Sequence, residues 1–223
     1  MADLCIEGWW GLHNDVKDWK VRMGLQLSSA YEDFRLFCRR HRITCSQPRF
    51  TVSRLSMTCR KTIPMLKCKA WNAICICEWL CEVCKLSAAT CPNDNAKRQR
   101  AAMMWGFAAF HNVLRGNCWL TDGELQQLRA ARDAMLHCYH ALSKMAAEED
   151  NYRYPMKPKH HLIDHAERRA QRTRLNPGSH WAFAEEDNVG IMMKICGACH
   201  DATMHARSLQ RWCMQFFWDL QSA

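Results

Sequence analysis

The sequence predicts a mainly α-helical protein with little or no β-sheet. Three observations carry that expectation. The 223 residues hold 9 glycines and 6 prolines, too few for the many tight turns of a β-sandwich. Apolar residues recur at three- and four-residue steps through most of the chain, the period of a helix buried on one side. Thr121-Asp122-Gly123-Glu124, a capping box, stands directly ahead of one such run.

The elements follow in order. Val16, Trp19, Met23, Leu27, Ala30, Phe34, Phe37 and Cys38 trace one face of a long helix ending near Arg42. Thr44 to Thr58, with Pro48 and the β-branched Thr51 and Val52, reads as an irregular link. Pro64 is suited to open the next helix, which runs through Trp71, Ile74, Trp79 and Val83 to about Ala88. Cys91-Pro92-Asn93-Asp94 breaks it. A further helix carries Met103, Met104, Phe107, Phe110 and Leu114, and Gly116-Asn117 ends it. The helix after the capping box shows Leu125, Leu128, Met135, Tyr139, Leu142 and Ala146 on one stripe. Its polar end, Glu148-Glu149-Asp150-Asn151, divides a helical domain (1–150) from a carboxyl-terminal section (151–223) expected to pack on it. In that section a helix is expected to start near His160. Another opens at Glu185-Glu186-Asp187, and an amphipathic one spans roughly Asp201 to Leu220. The sum is six or seven helices around one core.

Lys and Arg number 31 against 22 Asp and Glu, a net charge of +9, which favours anionic partners. The cations cluster as Arg39-Arg40-His41-Arg42, Lys97-Arg98-Gln99-Arg100, Lys157 with Lys159, and Arg168-Arg169 with Arg172 and Arg174. Such runs are either solvated helix faces or a surface for DNA or RNA. No segment has the roughly 18 consecutive apolar residues of a membrane span. Met1-Ala2-Asp3-Leu4 lacks the basic and apolar regions of a signal peptide. The expected compartment is therefore cytoplasmic or nuclear, without a membrane partner.

Fifteen cysteines at irregular spacing do not form a disulfide framework. Cys196-Gly197-Ala198-Cys199-His200 has the spacing of c-type haem attachment, with Met204 or Met214 as axial ligands. With Cys81-Glu82-Val83-Cys84 it also gives two C-x-x-C pairs of the kind that hold zinc. Against haem stands the missing export signal, and against zinc the placement of the first pair within a helix, where cysteine is a small core filler.

His160, His161 and His165 form the densest histidine group. Pro155 and Pro158 force an extended entry, after which His161 and His165 lie four apart on one helix face and His160 pairs with Asp164. The three are candidate ligands for a divalent metal such as zinc, although spacing fixes no further ligand. The bland alternative is local hydrogen bonding. Glu185 falls on the stripe of Val189, Met192 and Cys196, so it needs a partner, such as a metal or histidine. Glu186 and Asp187 point away, and acids in a first helical turn are also stabilised by the dipole alone.

Lys157-Pro158-Lys159-His160-His161 with His165, then Asn176-Pro177, then Trp181 ahead of Glu185-Glu186-Asp187, resembles a block in uncharacterised families of predicted proteins from unicellular algae. Ser46-Gln47-Pro48-Arg49-Phe50-Thr51 and Lys67-Cys68-Lys69-Ala70-Trp71-Asn72 resemble their upstream blocks, so that likeness covers most of the chain. Residues 152–194 more distantly resemble the carboxyl-terminal end of CACTA-type DDE transposases. That resemblance implies a final catalytic acid. Spacing from Trp181 assigns it to Glu186, whereas periodicity prefers Glu185. DDE chemistry sets three acids on an RNase-H-like sheet to hold two divalent metals, and no series of strands is evident upstream of Tyr152. The expectation is a transposase-derived helical protein, catalytically incomplete, that binds nucleic acid through its basic faces. A metal-binding domain and a helical interaction protein are the alternatives, with a haem protein behind them.

Overall fold

A computed structural model of the chain describes residues 1–11, 13, 15–57, 63–150, 153–155 and 158–180, with 195, 196, 199, 203, 206, 207, 209–211 and 214 beyond them. Residues 1–180 hold α1 (Ala2–Ile6), α2 (Trp19–Arg40), α3 (Ala70–Thr90), α4 (Asn95–Leu114), α5 (Asp122–Glu148), α6 (Pro158–Thr173) and the short 3-10 turn Pro177–His180. The described residues contain no strand, and one isolated antiparallel bridge joins Trp119 to Leu175. The fold is mainly α, as the periodicity requires. Residues 1–177 form one compact unit and residues 178–223 another.

The caps explain most boundaries. Asp18 accepts from the amides of Lys20 and Val21 at 2.7 and 3.3 Å, which starts α2. Arg42 at φ 54° supplies the left-handed residue that ends it, with Ile43 N–H returning to Cys38 O at 2.8 Å. Asp94 opens α4 by accepting from Lys97 N–H at 3.0 Å. The box before α5 is complete: Thr121 Oγ1 accepts from Glu124 N–H, and Glu124 Oε2 accepts from Thr121 N–H at 2.8 Å.

One boundary departs from expectation. Pro64 does not open α3, which begins at Ala70. The backbone ahead of it is taken by the preceding turn: Met65 N–H donates to Leu55 O at 2.8 Å and Lys67 N–H to Arg54 O at 3.4 Å. In a helix opened by Pro64, the Lys67 N–H would be the first to bond within the helix, to Ile63 O; it is bonded to Arg54 O instead.

The main core joins α1 to α4 with Leu142 of α5 and the link at Phe50, Leu55 and Met57. At its centre Trp79 is 1% exposed. Its ring lies 5.4 Å from Phe34, 5.9 Å from Phe50 and 5.5 Å from Trp10, spacings at which aromatic pairs attract beyond their buried area. The Trp10 and Trp79 indole N–H groups both donate to Asp33, at 3.0 and 3.4 Å. Short connections make α3, α4 and α5 successive antiparallel neighbours. Gly106 sets the approach of the last two. A Cβ there would lie 2.7 Å from Ala131 O and 2.8 Å from Met135 N, so no other residue allows that contact.

Candidate nucleic-acid interface

The basic runs meet different fates. Arg39 and Arg42 are exposed at the end of α2 and have no acidic partner among the described residues. Between them Arg40 and His41 share the carboxylate of Glu82. Cations at a helix carboxyl end also satisfy its dipole, so this run has a structural role as well. In the second run Arg98 is exposed, whereas the Lys97 ammonium lies 3.1 Å from Cys91 Sγ and 4.0 Å from Asp94.

Arg100 does not face solvent. Its side chain is buried and its Nη2 lies 2.6 Å from Glu7 Oε1. Nearby, Asp3 accepts from Arg153 and from the Tyr154 hydroxyl. Burial, and after it the Asp3 carboxylate, pushes the Tyr154 phenol up, so it stays a donor. These groups, with Glu149, line a cavity of about 90 Å³. Its three acids outnumber its two arginines, so it clamps α1 onto α4 and the segment after α5 and offers no anion site.

The run of Arg168, Arg169 and Arg172 is different because α6 holds it outward. Ile163, Glu167 and Ala170 form the inward stripe of this helix, and Glu167 is 1% exposed. Its carboxylate lies 2.9 Å from Arg132 Nη2 and 3.5 Å from Arg129 Nε, both on α5. Arg132 also reaches Asp164 at 3.3 Å and Asp133 at 3.0 Å, and Asp164 holds Arg168 at 2.9 Å. An acid on an inward stripe needs a partner. Glu167 meets on α6 the requirement that the sequence pattern places on Glu185.

The outward stripe of α6 runs His161, His165, Arg168 with Arg169, and Arg172, all exposed. Arg169 and Arg172 have no acidic partner among the described residues. The steps are three and four residues, so these side chains line one ridge. From 161 to 172 the ridge rises roughly 16 Å at 1.5 Å per residue, the reach of about five phosphates along one strand. Arg174, at φ 59°, ends the helix and pairs with Asp122. Leu120 N–H donates to Arg174 O at 2.8 Å, which brings the loop bearing Trp119 to the carboxyl end of α6. Trp119 is 66% exposed, an open aromatic face. The sequence signal for the ridge is the 161-165-168/169-172 spacing; nothing in the sequence joins Trp119 to it.

The histidines are brought together in part. His161 and His165 have Nε2 atoms 2.7 Å apart and rings at 83°. His160 lies instead against the Tyr139 ring, centroids 4.3 Å apart, while Asp164 is engaged by Arg132 and Arg168. Among the described residues no three His, Cys, Asp or Glu side chains converge on one point. Lys157, Glu185, Glu186 and His200 lie outside the described residues, as does the Lys159 side chain.

Asn176 belongs to the block that resembles the algal families. It is buried, and its amide donates to Val113 O and Asn117 O at 2.9 Å and to Leu114 O at 3.4 Å. It caps the carbonyl end of α4, which is a structural duty. The cysteines of α3 are likewise structural. Cys75 and Cys84 lie in the core, and burial pushes both thiols up, away from the thiolate that a metal requires.

The arrangement offers binding: exposed guanidinium groups on a helix braced from behind, with an aromatic face at one end. No protein-family model, curated protein or solved structure matches the chain.

Proposed function

We propose that this chain is a helical nucleic-acid-binding protein of mobile-element origin, without a complete catalytic centre of its own, and that α6 is the surface that meets the phosphates. The observation that carries the reading is the outward stripe of α6, where Arg169 and Arg172 stand exposed, without a carboxylate partner among the described residues, beside the weakly paired Arg168. A surface ion pair of that kind contributes under about 1 kcal/mol, so Arg168 exchanges its carboxylate for a phosphate at little cost. The buried Glu167–Arg132 bond keeps the ridge in place while it does so. Trp119 supplies a stacking surface for an unpaired base. The mobile-element origin is supported by the resemblance of residues 152–194 to the DDE transposase end.

Fluorescence anisotropy with labelled single-stranded and duplex DNA and RNA tests this at low salt. Arg169→Gln with Arg172→Gln should weaken binding to every nucleic acid alike, because phosphate contacts carry no sequence information. Arg39→Gln with Arg42→Gln should weaken it less. Equal effects of the two pairs, or no binding by the native chain, would remove α6 as the interface.

A further inference from the structure

We propose that His161 and His165 form a surface chelate for a divalent late-transition-metal ion, with water in its remaining positions. Three features on α6 carry this. The residues are four apart, so both rings rise from one helix face. Their Nε2 atoms, not their carbons, turn toward each other, 2.7 Å apart at an interplanar angle of 83°. Both side chains are exposed, so an ion reaches them without unfolding anything.

The fit is quantitative. Metal–imidazole bonds of about 2.0–2.1 Å at right-angled to tetrahedral geometry separate the two nitrogens by roughly 2.9–3.3 Å. The pair must open by a few tenths of an ångström, which small side-chain rotations supply. In the ion-free pair one Nε2 donates its proton to the other. When an ion binds, that ring carries its proton on Nδ1 instead, both Nε2 lone pairs face the metal, and a neutral pair releases no net proton. Imidazole suits nickel, copper and zinc, whereas calcium and magnesium demand oxygen. The nearest carboxylate on the helix, Asp164, is already held by Arg132 and Arg168, so among the described residues the protein supplies two ligands, and solvent takes the remaining positions.

The site lies on the same ridge as the arginines but does not depend on nucleic-acid binding. An occupied site would extend that ridge by two positive charges one turn before Arg168 and Arg169.

Nickel is the probe, because copper would oxidise the chain's many thiols. Calorimetric titration of reduced protein lacking a histidine tag should show one Ni²⁺ per chain, with no sulfur-to-nickel charge-transfer absorption. Even second-shell partners of metal ligands contribute 10–100-fold, so His161→Gln or His165→Gln should each weaken binding by at least about tenfold. His137→Gln, an exposed histidine on α5, should leave it unchanged. Both α6 histidines are at the surface, so thermal unfolding should confirm that these variants fold. Absence of binding, retention of full affinity in either α6 variant, or charge-transfer bands showing thiolate ligation would overturn the chelate.

Discussion

Replacing Asn176 separates a structural cap from a binding residue. Its amide makes two bonds of 2.9 Å to Val113 O and Asn117 O and a longer one of 3.4 Å to Leu114 O. Val113 O keeps a second donor, Gly116 N–H at 3.0 Å, after truncation. Each net bond contributes about 0.5–1.5 kcal/mol, so Asn176→Ala should cost about 2 kcal/mol. Asn176→Asp preserves the shape but aims a carboxylate at the same three oxygens in a site that is 1% exposed. It should cost more than alanine, roughly 3 kcal/mol or above. Its deficit should shrink in acid, where the protonated carboxyl can donate. Urea unfolding followed by circular dichroism under reducing conditions reads both. With a slope near 2 kcal/mol per molar urea, the alanine variant should shift the midpoint by about 1 M. Aspartate milder than alanine, or both variants within about 0.5 kcal/mol of the native protein, would show that the amide is not aimed as described.

Two helical glycines should respond in opposite directions. Gly106→Ala must push α4 away from the backbone of Ala131 and Met135 and should cost about 1–3 kcal/mol or more. Gly24→Ala, inside α2 with nothing within 4 Å of the added carbon, should stabilise by up to about 1 kcal/mol in the same unfolding assay. In alkali, burial raises the Cys5 thiol from 9.0 to about 12. The unfolded thiol ionises first, so the stability it contributes is intact below pH 9 and is lost as pH rises toward 12. That loss amounts to about 1.4 kcal/mol per pH unit, and Cys5→Ala should flatten the slope over this window; an unchanged slope would contradict the burial argument.

The helices were legible because burial on one side imposes a period that composition cannot hide. The stripes of α2, α4 and α5 and the Thr121–Glu124 box appear in the structure as the spacing required. The start of α3 was not legible, because Pro64 suits a first turn equally well. What decides is the Lys67 N–H, bonded to Arg54 O rather than within a helix, and that bond carries no side-chain signature. Arg100 reads as a member of a basic run because its partner, Glu7, is remote in sequence. The duty of Asn176 was hidden for the same reason: its three acceptors are backbone carbonyls remote in sequence, two at the end of α4 and one in the loop after it. The histidine pair and the arginine ridge were legible, since both follow from i, i+3 and i, i+4 spacing within one element. Their freedom from carboxylates was not, because that depends on how Glu167 and Asp164 are engaged.

The reading of α6 as a phosphate-binding ridge meets its most direct test in the salt dependence of duplex binding. The logarithm of affinity should fall linearly with the logarithm of salt, and Arg169→Gln with Arg172→Gln should reduce that slope by about 1.8, two phosphate contacts at roughly 0.9 each. An identical slope for the native chain and the double variant, with both folded to the same extent, would contradict the account.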